Sequence, residues 1–429
     1  MNPLFILAVS LFILPLCGPI IIEPIIAVRE LWVAKEFLAL LSILLISASS
    51  YIRGHQHKTA INWPLLALIF FLPISIYAAP PLRLMYGHEN IAGLWMWRSL
   101  AWCFAYFMLY CAICANPPVR ERQKNWIIWC IGWAVIINSG YAYLQFIGLD
   151  QWQIVRNLRE LDPNFHPPDP DAIKSIEITA MIGNPTYLGV WLTMCLPFLV
   201  LFFRWYWTAF VIGAIFICKS DIATVGSIIV IVFSICMRAK STSWLKLMVM
   251  ASLLSVFILW GNWSDVRPKI GDNGRFSVWP QVIDDWKSPC IKIEINEEMS
   301  PTQRREVETL NKRTYALTGR GLGSFPFIFS PKYETRYESA HNEPLEGLYS
   351  IGLIGQVMFL SAIWFVFWFA FWMARGDRFA LALYTSLLFC FLASLGLPIL
   401  HVEPLRYFSA IMFCLLSALI PRRQTCRKK

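Results

Sequence analysis

Charge is what this sequence has least of. Only 15% of its 429 residues are Asp, Glu, Lys or Arg, where an ordinary soluble domain carries roughly 25%. That shortage excludes most soluble enzyme classes and any nucleic-acid-binding module. Histidine is scarce too, and the six present are scattered without a metal-ligand spacing. Twelve cysteines occur, but only Cys290 falls in a long polar segment, so that segment has no internal disulfide. Cys111 and Cys114 make a C-x-x-C inside an apolar run, where they read as two small side chains on a helix rather than a metal or redox pair.

What is abundant is apolar surface. The chain is 57% hydrophobic, has a mean hydropathy of +0.54, and contains 20 Trp and 30 Phe. A spanning helix needs about 20 mostly apolar residues. Twelve candidate spans follow, at about 4–22, 32–51, 63–79, 94–115, 125–148, 186–203, 206–218, 222–237, 244–261, 348–374, 379–399 and 405–420. The seventh and eighth are short and weakly separated. The first lacks a basic start and a small-residue cleavage site, so it reads as a retained helix. The expected fold is an all-α polytopic membrane protein. Residues 1–261 form nine helices with a polar loop at 149–185, 262–347 form a large loop, and 348–429 form three further helices and a basic tail.

Short loops carrying Lys and Arg face the cytoplasm. One set holds Arg53, Lys58, Arg120, Arg122, Lys124, Arg204, Arg238, Lys240, Lys246, Arg375, Arg378, Arg422, Arg423, Arg427, Lys428 and Lys429; the other holds only Arg29, Arg83 and Lys219. Both termini are then expected inside, with the 149–185 and 262–347 segments outside. Acidic and basic residues nearly balance across 262–347, so anion binding there must come from particular arginines.

Within that loop, Ser300-Pro301-Thr302-Gln303 reads as a capped helix start running to about Lys312, with Val307 and Leu310 on one face. Pro167, Pro168 and Pro170 mark the smaller loop as irregular. Gly274 precedes Arg275, and Gly319, Gly321 and Gly323 bracket Arg320. Such glycines suit either an anion cradle with a guanidinium or a plain turn. His341 and Asn342 stand where the loop enters the tenth span, beside Glu343 and Glu346. A histidine there either takes a proton from a hydroxyl near neutral pH or caps the helix. Gly352 and Gly355 suit close helix packing.

His341-Asn342, nine residues, Gly352, two residues and Gly355 resemble the signature of the O-antigen ligase family. The surroundings agree: Gly274-Arg275 with Trp279, then Gly319-Arg320-Gly321-Leu322-Gly323-Ser324-Phe325, with Tyr143-Leu144-Gln145 closing one span and Gly183-Asn184-Pro185-Thr186-Tyr187 opening the next. The likeness runs from about 125 to 375. It implies a GT-C-like fold in the bacterial inner membrane and a metal-independent glycosyltransferase without cofactor. The donor would be a glycan on undecaprenyl diphosphate. The acceptor would be the lipid A core, or, in relatives that are polymerases or pilin O-oligosaccharyltransferases, a growing glycan or a protein. On this reading His341 is the base or orients the acceptor, Arg275 clamps the diphosphate, and Arg320, Lys219, Asn342 and Asn184 help bind substrate. One departure stands out. The family has Ser-Arg where this chain has Lys219-Ser220-Asp221; lysine offers a point charge rather than a fork, and Asp221 opposes an anion. A transporter or flippase is the rival class, although no internal repeat is visible.

The basic bias predicts that 262–347 faces the periplasm. In a Cys290→Ser background, Ser300→Cys is expected to react with an impermeant thiol reagent once the outer membrane alone is permeabilised. Labelling only after inner-membrane lysis overturns this orientation.

Overall fold

The computed structural model describes residues 2–16, 28–53, 62–78, 91–149, 180, 182, 185–238, 275–287, 300–301, 304–305, 308, 315–320, 342–395, 397 and 403–420, and for 28–34, 76–78, 91–95, 275–277, 287 and 403–404 the backbone alone. Among these residues the structure is all-helical. The helices are α1 (Pro3–Leu16), α2 (Val28–Arg53), α3 (Trp63–Ala78), α4 (Ile91–Ala115), α5 (Glu121–Phe146), α6 (Pro185–Phe202), α7 (Trp205–Ile217), α8 (Asp221–Arg238), α9 (Arg275–Lys287), α10 (Glu343–Ala374), α11 (Arg378–Ser394) and α12 (Glu403–Leu419). Eleven of the twelve expected spans coincide with one of these helices; the expected span at 244–261 lies outside the described residues. Six helices are long and apolar enough to cross a membrane, and five more are shorter and apolar.

Polar residues at the ends of apolar runs set the helix starts. The side-chain oxygen of Asn2 accepts from the Leu4 amide at 3.0 Å, Asn62 does the same for Leu65 at 3.0 Å, and Asp377 for Phe379 at 2.7 Å. Each satisfies an amide that the first turn leaves without an intrahelical partner. Asn62 is buried and also donates to the Ala362 carbonyl at 3.1 Å, tying the start of α3 to the middle of α10.

α6 lies at the centre. It packs on α5, α7, α8 and α11, and Leu188, Val190, Trp191, Leu192, Met194, Cys195, Leu196 and Phe198 are fully buried. A helix apolar on every side belongs inside a bundle. Trp191 meets Phe408 edge-on, and Phe198 meets Phe379 likewise. α1 packs against α5 and α2, α4 against α2 and α12, and α10 against α3 and α11. The opposite pattern marks the periphery. On α10, Leu353, Val357, Leu360, Trp364, Trp368 and Trp372 form one exposed stripe, and α2 exposes Phe37, Leu41, Leu44 and Leu45. Apolar stripes of this length are a liability in water and match a lipid surface. The described helices therefore associate with a bilayer.

At the turn between α10 and α11, Lys124 of α5 bridges Glu121 at 3.0 Å and Asp377 at 2.7 Å. Asp377 thus both caps α11 and pairs with α5. The two roles are separable. Asp377→Asn keeps an effective cap and loses only a partly exposed ion pair, under about 1 kcal/mol. Asp377→Ala loses the cap as well, about 1 kcal/mol more. Thermal unfolding in detergent is expected to rank wild type, Asp377→Asn and Asp377→Ala in that order.

Candidate functional site

The tenth expected span is not one continuous helix. At Gly352 the backbone of α10 leaves helical geometry, with φ 68° and ψ −176°. A break inside a span releases two N–H groups and two carbonyls that the i→i−4 ladder would use, and lipid offers no partner for them. Three find partners in the turn 315–320, and the fourth shares the hydroxyl of Ser75. The Leu353 amide donates to the Ala316 carbonyl at 2.9 Å and the Ile354 amide to the Leu317 carbonyl at 3.1 Å. The Tyr349 carbonyl accepts from the Arg320 amide at 3.0 Å. The Ser350 carbonyl accepts from Ser75 Oγ of α3 at 3.4 Å, while the same hydroxyl lies 2.7 Å from the Thr318 carbonyl. The turn 315–320 therefore substitutes for the missing stretch of helix.

Two glycines make this possible. Gly319 also has positive φ, 78°. A Cβ on Gly352 would collide with the Gly319 nitrogen and the Leu317 carbonyl, and a Cβ on Gly319 with the Ser350 carbonyl and the Gly352 nitrogen. Each needs to be glycine both for its backbone angle and for the other's approach. The expectation that Gly352 serves close helix packing is thus corrected: it serves contact between a helix break and a loop turn.

The turn is clamped from its other side by α9. Val278 and Val282 are buried, and Trp286 Nε1 donates to the Ala316 carbonyl at 3.2 Å. Arg320 is 3% exposed. Its Nη2 lies 2.6 Å from the Asp285 backbone carbonyl and 3.5 Å from Asp285 Oδ1. Its guanidinium carbon sits 5.0 Å from the centre of the Tyr349 ring, within cation–π range. The Tyr349 hydroxyl donates to Asp285 Oδ2 at 3.0 Å. Arg320 Nη1 has no hydrogen-bond partner. α9, the 315–320 turn and α10 thus meet at one buried ion pair with an aromatic floor.

Asn342 caps α10. Its Oδ1 accepts from the Leu345 amide at 3.0 Å, and its Nδ2 donates to the Leu395 carbonyl beyond α11 at 2.9 Å. The capping role open to His341 from sequence therefore belongs to its neighbour. His341 and Asn184 lie outside the described residues, as does the side chain of Arg275, whose backbone opens α9. Lys219 sits at another corner of the bundle, in the tight turn from α7 to α8, exposed and with φ 52°. Next to it, Ser220 packs beside Gly189 of α6, and Asp221 is the first residue of α8, where a carboxylate suits the helix dipole. Of the expected helix from Ser300, residues Pro301, Arg304, Arg305 and Glu308 are helical, and the Arg304 amide donates to the Ser300 carbonyl at 3.0 Å; Gln303, Val307 and Leu310 lie outside the described residues.

Sequence reasoning missed α9 and with it Asp285 and Trp286, and it missed Tyr349 and Ser75. The buried Val278, Val282 and Asp285, three to four residues apart, are the signal that was present. A second charged cluster was also missed in part. Glu36 of α2 pairs with Arg98 of α4 and approaches Arg406 of α12 at 3.8 Å, and Arg406 lies over Trp102 at 4.9 Å.

No family model and no curated protein sequence matches the chain. The likeness to the O-antigen ligase family accordingly rests on the short motifs and their order.

Gly352→Ala is expected to cost about 2–5 kcal/mol, combining backbone strain with overpacking. Gly140 of α5, whose added Cβ would meet nothing within 4 Å, is the control: Gly140→Ala is expected to be neutral or stabilising by about 1 kcal/mol. Thermal unfolding of the two variants in detergent checks the contrast.

Proposed function

We propose that this protein is an O-antigen ligase-type glycosyltransferase of the bacterial inner membrane. It would span the bilayer twelve times with both termini cytoplasmic, and transfer a glycan from undecaprenyl diphosphate to an acceptor hydroxyl at the periplasmic face, most simply a sugar of the lipid A core. The observation that carries the reading is the junction of Asp285, Arg320 and Tyr349. It joins the three segments that bear the family-like motifs: the helix opened by Arg275, the turn that presents Arg320, and the helix preceded by His341-Asn342. In sequence these lie up to 77 positions apart, from Arg275 to Gly352.

In the proposed reaction the acceptor oxygen bonds to the anomeric carbon of the glycan as the bond from that carbon to the diphosphate breaks. His341 takes the acceptor's proton. The diphosphate departs with its lipid, and Arg275 stabilises its charge. A guanidinium aimed at developing charge in a water-poor site is worth about 10²–10³ in rate, and a positioned base about 10²–10⁴. Arg320, Lys219, Asn342 and Asn184 are the remaining candidate contacts. Polymerases and pilin O-oligosaccharyltransferases share this chemistry and differ in acceptor. The helix break also favours a second reading, a polysaccharide transporter or flippase, because interrupted spans line transport sites. Against that, the groups released at Gly352 are met by the 315–320 turn and by Ser75 of α3 rather than presented to a cavity.

The test is turnover of a polyprenyl-diphosphate-linked glycan by the purified protein. Wild type is expected to release polyprenyl diphosphate. Arg275→Lys is expected to fall at least about tenfold, because lysine cannot grip a phosphate pair bidentately. His341→Ala is expected to abolish turnover while the protein still accumulates, since Asn342 supplies the cap; Asn342→Ala is expected to lower thermal stability by about 1 kcal/mol. Lack of release by wild type, together with unchanged lipopolysaccharide banding in a deletion strain, overturns the reading. Substrate counterflow in liposomes without glycan release would favour the transporter.

A further inference from the structure

The guanidinium of Arg320 is held on three sides and left open on one. Nη2 is fixed by the carbonyl and carboxylate of Asp285, the flat face rests on the Tyr349 ring, and the backbone amide is fixed to the Tyr349 carbonyl. Nη1 lacks a hydrogen-bond partner among the described residues, in a side chain 3% exposed. A buried donor left unsatisfied is costly, and a buried ion pair is by itself a poor source of stability. Two apolar side chains would fill the same volume without the orphaned donor. The arrangement makes sense if the orphan is reserved for something the protein binds.

The carboxylate is itself held in place. Asp285 is fully buried, and its Oδ2 takes the Tyr349 hydroxyl at 3.0 Å, which turns Oδ1 toward the arginine. Tyr349 thus contributes twice, through its ring to the arginine and through its hydroxyl to the aspartate. We propose that Asp285, with Tyr349, is a positioning residue that aims Nη1 of Arg320 at a phosphate oxygen of a lipid diphosphate donor. The proposal rests on the glycan-transfer reading. Asp285 offsets the arginine's charge, so Arg320 acts as an oriented donor, and bulk charge neutralisation falls to Arg275. Because Asp285 lies on α9, the same carboxylate also fixes the helix that Arg275 opens.

The experiment uses the full-length protein in nanodiscs with a defined polyprenyl-diphosphate-linked glycan, and reads donor KM, kcat and Tm together. Tyr349→Phe keeps the ring and removes the hydroxyl bond to Asp285. It is expected to raise donor KM about threefold or more with kcat at saturating donor nearly unchanged, the pattern of lost binding shared by ground and transition states. The paired variant Asp285→Leu with Arg320→Met removes the whole ion pair. It is expected to lower Tm by little more than the loss of the Tyr349 hydroxyl bond, since replacing both members of a buried pair by apolar residues is often neutral, yet to raise donor KM about tenfold, the loss of one charge-assisted hydrogen bond. Recovery of both Tm and donor KM in the paired variant overturns the proposal, as does wild-type donor KM in Tyr349→Phe. Absence of turnover by wild type overturns the transfer reading and this proposal with it, whereas turnover with unaltered donor KM in both variants overturns this proposal alone.

Discussion

A break in an apolar helix is tolerable only if the backbone groups it frees find partners inside the protein. That constraint organises the Asn342 end of this bundle. Gly352 opens α10, and the turn 315–320 closes it again through the amides of Leu353, Ile354 and Arg320. Ser75 of α3 joins the same closure. With these groups to satisfy, the turn has little freedom in register. A shift of one residue would strand at least one buried N–H, at a cost of about 1–3 kcal/mol.

From that contact the rest of the site follows in order. The turn carries Arg320 to the floor made by Tyr349. Arg320 in turn requires an anion, and Asp285 supplies it from α9. Trp286, one position on, fastens the same helix to the Ala316 carbonyl. Asn342 meanwhile anchors the start of α10 to the end of α11. A loop segment that composition alone makes polar and nearly neutral is thereby pinned to the bundle at a defined point. Elsewhere the helices need less: apolar burial around α6, caps at helix starts, and a few interhelical ion pairs, such as Lys124 with Asp377 and Glu36 with Arg98.

Much of this architecture was legible in the amino-acid sequence. The apolar runs located eleven helices because a span advertises itself by composition, and the error lay in the ends, as at α11, which stops at Ser394, short of the expected 399. Gly352, singled out in the sequence, lies at the break of α10. What could not be read was tertiary. α9 was hidden by Pro280 and by charged residues at its end. The ion pair between Asp285 and Arg320 joins residues 35 positions apart, with nothing local to announce it. Gly319 and Gly352 were each visible as glycines, but a mutual approach of two backbones leaves no periodicity. The choice between His341 and Asn342 as the cap turned on a side-chain direction that spacing does not specify.

The length of α9 has a mechanical side. Arg275 opens it and Asp285 lies ten residues on, about 15 Å along the axis. Asp285 and Trp286 fasten one end, and Val278 and Val282 pack along the stretch between, on either side of Pro280. A tilt of about 4° over that length swings the far end through about 1 Å. The packing along α9, and not the ion pair alone, thus sets how closely the start of the helix keeps its place.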